Sequence, residues 1–206
     1  MTYSNLASAF VLAYILGSIP TSYLMGKFIK KIDIRDFGSG NVGATNALRV
    51  LGTKIGIITL IIDIGKGILA VFMGKIIVAE PSNIVLIALG LFAILGHIFT
   101  IFLKFKGGKG VATSAGVFIA LSPLAVGIAL IVFVLTVWIS KYVSLGSILA
   151  ALVLFLVELY WNITHSFENI ELLIFIFVIA AFIIIRHKSN IKRILAGNEN
   201  KLSFKK

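Results

Sequence analysis

The sequence predicts an all-α, polytopic membrane protein: a bundle of seven transmembrane helices, some short, with the N-terminus outside and the C-terminus cytoplasmic. Three observations predict it. Hydrophobic residues fill 59% of the 206 positions and charged ones only 13%, with a mean hydropathy of +1.09. A soluble domain carries about a quarter charged residues, so too little polar surface remains here to face water. The apolar residues fall in long runs, and the basic residues cluster at the ends of those runs.

Hydrocarbon offers backbone groups no partners, so the runs should be helices. They lie at roughly 5–26, 55–79, 83–103, 111–140, 143–161 and 169–185. The N-terminal stretch has no basic segment and no small-residue cleavage site, and reads as a retained first span. "EPSN" (80–83) breaks the chain and offers Ser82 or Asn83 as a helix cap. "WNITHSFEN" (161–169) reads as a polar turn beside an interfacial Trp161.

Positive residues mark the cytoplasmic side. Lys27, Lys30, Lys31, Arg35, Arg49 and Lys54 follow the first run, which sets the N-terminus outside. "KFKGGKG" and "RHKSNIKR" then belong to the same cytoplasmic side, which requires an even number of crossings between them. Only three runs are visible there. The run 111–140 would be about 45 Å long as one helix, against a hydrocarbon core of about 30 Å. Its "LSPLA" places Ser122 to cap and Pro123 to open a new helix. The split gives seven spans, the first half being short, tilted or partly re-entrant. Five full spans with a re-entrant pair is the alternative. The chain reads as one domain, 1–206.

The net charge of +11 sits at span ends, as orientation signals and phosphate contacts would, so no nucleic-acid partner is expected. Without cysteine there is no thiol chemistry, and three histidines (His97, His165, His187) are too few for a multi-histidine metal centre. No metal or cofactor is expected.

Three polar segments fall on the cytoplasmic side of this topology. The first is "GSGNVGATN" (38–46), in which Val42 is the only large apolar residue. Gly38, Gly40 and Gly43 let backbone N–H groups turn toward a ligand. Ser39, Asn41, Thr45 and Asn46 add side-chain donors. A short helix over 43–50 would favour an anion at its start and place Arg49 on one face with Thr45 and Asn46.

The second segment runs from Lys104 through Gly107, Gly108, Lys109 and Gly110 to Thr113 and Ser114. It looks like a phosphate cradle but lacks the Walker A spacing, which disfavours ATP. In the third, Arg186, His187, Asn190 and Arg193 follow at helical spacing, so His187 and Asn190 would point together. The "KYVSLGS" turn adds Ser144 and Ser147. Asp63 and Lys66, spaced i, i+3 inside an apolar helix, read as a structural ion pair beneath the site. These loops are expected to converge at the inner leaflet. A cationic, donor-rich pocket there selects phosphorylated ligands that meet a lipid-soluble partner.

The stretches "GSIPTSYLMGK", "DIRDFGSGNVGATNALRVLG", "DIGKG", "GHIFTIFLKFKGGKGVAT" and "RHKSNIKRILAGNEN" together resemble the bacterial acyl-phosphate-dependent glycerol-3-phosphate acyltransferase family. The resemblance covers nearly the whole chain. It implies transfer of a fatty acyl group from acyl phosphate to the 1-hydroxyl of sn-glycerol 3-phosphate, the first acylation of phospholipid synthesis. It also implies a seven-helix inner-membrane bundle, and a partner enzyme that supplies acyl phosphate.

By the same resemblance Ser39 and Arg49 match the first-loop catalytic pair, and Thr45 and Asn46 match positions that hold the donor's phosphate. Gly107, Gly108, Lys109 and Gly110 match the glycine–lysine loop. His187 and Asn190 match positions that help bind glycerol 3-phosphate, and Glu199 matches an acidic position that looks structural. Ser144 or Ser147 contributes from the turn. Five residues after the histidines stand Phe102, Ile170 and Lys192, so the H-x-x-x-x-D signature of thioester-using acyltransferases is absent. A transporter or channel for a phosphorylated metabolite is the rival reading, but it would need polar residues through the bilayer and repeated halves. A nonenzymatic subunit of a lipid-synthesis complex would not need so many phosphate-binding motifs.

Overall fold

A computed structural model describes residues 3–78 and 81–202. Glu80 of the "EPSN" turn and the end of the second apolar run lie outside the described residues. Among the described residues all regular structure is helical. The chain forms two compact units, one ending at Leu121 and the other beginning at Ser122.

The first unit holds α1 (Tyr3–Ser18), α2 (Thr21–Met25, running into a π turn, Gly26–Lys30), α3 (Ala44–Leu51), α4 (Thr53–Ile77), α5 (Asn83–Ile98) and α6 (Val111–Leu121). The run 5–26, expected as one span, is bent by 44° between α1 and α2. Pro20 lacks an N–H and disfavours helical backbone at Ile19, so the ladder stops there. The freed carbonyls find donors inside the protein. Thr100 Oγ1 donates to Ser18 O, and Lys66 Nζ donates to Ile19 O at 3.0 Å.

Small residues let the helices of this unit approach closely. Ala9, Ala13, Ala70, Leu89 and Ala93 form one buried cluster, flanked by stacked Phe10 and Phe92. A Cβ at Gly17 would collide with the main chain of Ala93, and one at Gly116 with Ile64 O. Ser82 precedes α5 as expected, but its side chain makes no capping hydrogen bond.

The second unit holds α7 (Pro123–Ser140), α8 (Val143–Thr164), α9 (Ile170–Arg186) and α10 (Lys188–Leu195), with α8 packed on both α7 and α9. The break at "LSPLA" is present, with Pro123 opening α7. Ser122 occupies the N-cap position of α7, but its side chain makes no capping hydrogen bond. Its hydroxyl donates instead to Glu158 Oε2 at 2.8 Å, giving a buried carboxylate a partner. The polar turn expected from residue 161 starts later, because α8 continues to Thr164. The tail is not one helix: α9 and α10 meet at His187 with a 53° bend.

Among the described residues four helical segments are long and apolar enough to cross a membrane, or up to six if each bent pair is one span; α6 is an additional apolar helix of 11 residues. Large apolar side chains such as Ile61, Leu69, Trp138, Ile139 and Phe177 stand exposed along them. Such continuous apolar surface belongs in lipid, and the chain is a multi-pass membrane protein. Three corners are turned by lysines in left-handed backbone. These are Lys31 after the π turn, Lys104 after a 3-10 turn (Ile101–Leu103) and Lys141 after α7, with φ of 58°, 53° and 63°.

Candidate active site

The first polar loop is built on a short 3-10 turn, Ile34–Asp36, capped by Asp33. Arg35 N donates to Asp33 Oδ1 at 3.0 Å, and its guanidinium pairs with Asp33 Oδ2 at 2.7 Å. The Arg35 side chain is the main reason the Asp33 carboxyl falls to about 2, well below its ordinary 3.8. Val42, the lone large apolar residue of the loop, packs with Ile34, Ala47, Leu51 and Leu103. The oily anchor fixes the loop, and its polar crown stays out: Ser39 is exposed, while Thr45 and Arg49 are half-buried on α3.

Asn46, expected beside Thr45 and Arg49 as a phosphate contact, turns inward and is 1% exposed. Its Oδ1 accepts from Ser39 N at 2.9 Å, and its Nδ2 donates to Ile34 O and Phe37 O at 3.3 and 3.1 Å. One amide thus ties together both limbs of the loop. Gly40 N donates to Phe37 O at 3.1 Å. The expectation that glycine freedom turns these N–H groups toward a ligand is therefore corrected at Ser39 and Gly40: both amides serve the loop itself.

The second loop gives the same correction. Gly107 N donates to Ile98 O at 2.9 Å and Gly108 N to His97 O at 3.1 Å, so the loop is laid onto the last turn of α5. A Cβ at Gly107 would collide with His97 O, and one at Gly108 with His97 Nε2. The two glycines are required by close approach to α5. Lys109, next in the chain, is half-buried, and Lys104 is exposed. Beyond it, the buried hydroxyls of Thr113 and Ser114 have no hydrogen-bond partner among the described residues.

Beneath this loop lies the expected ion pair. Lys66 Nζ is 2.9 Å from Asp63 Oδ1, and both side chains are almost wholly buried. Thr21 Oγ1 donates to the same carboxylate oxygen at 2.9 Å, and His97 Nδ1 stands 3.9 Å from it.

In the second unit the third polar segment is organised by Glu199. Its Oε1 accepts from Ser144 Oγ at 2.8 Å and from Asn190 Nδ2 at 2.7 Å, and its Oε2 pairs with Arg193 Nε at 2.7 Å. The last described residue is held as well, Leu202 N donating to Lys141 O at 2.7 Å. Of the two candidate serines, Ser144 joins this cluster, whereas Ser147 Oγ donates back to Val143 O of its own helix. His187, at the bend, has Nδ1 2.8 Å from Ile183 O. It is buried, as is Asn190.

A family model described as glycerol-3-phosphate acyltransferase matches residues 7–197. The chain belongs to the glycerol-3-phosphate acyltransferase family. "Glycerol-3-phosphate acyltransferase 2" of Bacillus anthracis is 50% identical over 192 residues, covering 93% of this chain and 96% of its own. "Glycerol-3-phosphate acyltransferase" of Trichlorobacter lovleyi is 52% identical over 190 residues, covering 92% and 93%. Among solved structures, an integral membrane glycerol 3-phosphate acyltransferase, PlsY (YgiH), in its glycerol 3-phosphate form superposes with a TM-score of 0.85. It is 37% identical and covers 96% of each chain. Membership decides for a transferase over a transporter.

In this acyltransferase Glu199 is a hub that sequence reasoning did not assemble. Spacing put Asn190 and Arg193 together but paired neither with Glu199, and the link from Ser144 spans 55 positions and leaves no local signal. Thr21 as a partner of Asp63 was missed for the same reason. Burial pushes the Glu199 carboxyl up, but hydrogen bonds from Asn190, Arg193 and Ser144 outweigh it, and the net shift from 4.5 is downward. A lowered folded value means Glu199 contributes stability above its unfolded value, lost as pH falls through the folded one. Wild type should therefore lose melting temperature below about pH 4.5 more steeply than Glu199→Gln. Equal acid slopes in thermal melts of the two proteins in detergent would refute this.

Proposed function

We propose that the chain transfers a fatty acyl group from acyl phosphate to the 1-hydroxyl of sn-glycerol 3-phosphate, giving 1-acylglycerol 3-phosphate and phosphate. This is the first acylation of phospholipid synthesis. The observation that carries the reading is the single family match over residues 7–197, which supplies the transferase chemistry and the acceptor and favours one domain across both units. The donor is argued from residues. Acyl phosphate is a mixed anhydride with a good leaving group, and the chain lacks the H-x-x-x-x-D signature that would suit a thioester.

The acceptor's 1-hydroxyl oxygen attacks the acyl carbon, the bond from that carbon to the phosphate oxygen breaks, and the hydroxyl proton passes to a phosphate oxygen of the donor. The protein's part is positioning and charge. Arg49 and Lys109 neutralise the reactants' phosphates, assisted by Ser39 and Thr45. His187 and Asn190 grip the acceptor, with Asn190 held by Glu199, which Ser144 holds in turn. Gly38, Gly40, Asn46, Gly107 and Gly108 shape the loops that present these groups.

Counting both bent pairs as single spans and adding α6 gives seven crossings. The basic loops then put the N-terminus outside and the polar segments in the cytoplasm, in the bacterial cytoplasmic membrane. An enzyme that makes acyl phosphate is the expected partner.

Purified protein given acyl phosphate should release phosphate only when glycerol 3-phosphate is present, and acyl-CoA should not replace the donor. Turnover with acyl-CoA alone would overturn the donor assignment. At saturating glycerol 3-phosphate, His187→Ala should recover near wild-type turnover, as a binding role requires. A kcat loss of about a hundredfold or more would instead make His187 the general base.

A further inference from the structure

We propose that His97 is a positioning residue for acyl transfer: held between Asp63 and Gly108, its ring seats the Gly107–Gly110 loop and so aims Lys109. Three contacts carry this. The main chain of His97 and Ile98 accepts from the Gly108 and Gly107 amides, fixing where the loop lies. The His97 ring fills the space a side chain at 108 would need, its Nε2 being the nearest atom to a Cβ built there. The opposite ring nitrogen, Nδ1, stands 3.9 Å from Asp63 Oδ1, so the ring lies between that carboxylate and the loop.

Asp63 is itself immobilised by Thr21 and Lys66, and Lys66 by the carbonyl of Ile19 at the α1–α2 elbow. A connected path of fixed groups therefore runs from the elbow through α4 and the end of α5 to the residue before Lys109. Outer partners of this kind orient the group that touches a ligand. No substrate contact is needed from His97, which is 8% exposed.

The aiming of Lys109 rests on the function proposed above, whereas the seating of the loop does not, and one experiment reads both. Steady-state kinetics and thermal melts are measured on purified wild type, His97→Ala, His97→Asn, Gly108→Ala and the double variant His97→Ala/Gly108→Ala. His97→Ala should lose about tenfold in kcat/KM, chiefly through a raised KM for one phosphorylated reactant, with kcat held within about threefold. His97→Asn should recover part of that loss.

Gly108→Ala, which drives a methyl group into the ring, should lose about a hundredfold. In the double variant the ring is gone, so the added methyl group should cost little more than His97→Ala alone. Gly108→Ala should likewise lower the melting temperature in the wild-type background and hardly at all beside His97→Ala. Losses that simply multiply, or a His97→Ala variant that lowers kcat with both KM values unchanged, would overturn the proposal. Should His97→Ala fail to fold, His97→Asn replaces it in the same cycle. A wild type without turnover would sink the proposed function instead, and the melting cycle would still decide the seating.

Discussion

Lys66→Met is expected to destabilise the protein by about 3–5 kcal/mol, because it strands a buried carboxylate. Asp63 would keep Thr21 as a donor but lose the cation 2.9 Å away, and Ile19 O would lose its donor at the helix elbow. The ion pair itself is not expected to be worth that much. Desolvating two charges consumes most of their attraction, so the large effect comes from breaking the pair unevenly. The double variant Asp63→Asn/Lys66→Met should therefore be more stable than Lys66→Met alone. Denaturation of the four proteins of the cycle in detergent checks this, and a double variant as unstable as the sum of its singles would contradict it.

The largest effect on activity is expected at Arg49. Arg49→Ala should lower kcat by about a hundredfold to a thousandfold, the range for losing one preorganised group that stabilises developing charge. Its melting temperature should stay close to wild type, since Arg49 is half-buried on α3, whereas Val42, Ala47 and Leu51 form the loop's apolar anchor. Arg49→Lys keeps the charge and loses the planar fork, so it should fall between the two. Initial rates of phosphate release at saturating reactants measure all three. An alanine variant within about threefold of wild type would remove Arg49 from the machinery.

The architecture was readable in the sequence where one local signal sufficed. Hydropathy located the apolar runs, and "LSPLA" marked the break before Pro123. The first run reads as one span although Gly17, Ser18, Thr21 and Ser22 flank Pro20, because the groups that make its freed carbonyls tolerable, Lys66 and Thr100, lie far along the chain. At the site, spacing found α3, the ion pair and the three polar segments. It misjudged what the glycines do. A glycine-rich loop reads as backbone offered to a ligand, yet at Gly107 and Gly108 the space is taken by α5. At Asn46 the surrounding side chains suggested a ligand contact, while the fold uses its amide as an internal tie. Composition announces that polar groups are present, and only packing says which way they face.

Lys31, Lys104 and Lys141 turn their corners in a conformation that glycine enters without penalty and that an L side chain resists by about 1 kcal/mol. Glycine at all three would make a hardier protein, and one electrically poorer at its rims. The chain instead tolerates three tense bends to keep ammonium groups there, so a search for heat resistance alone would erase charges that the molecule has reason to carry.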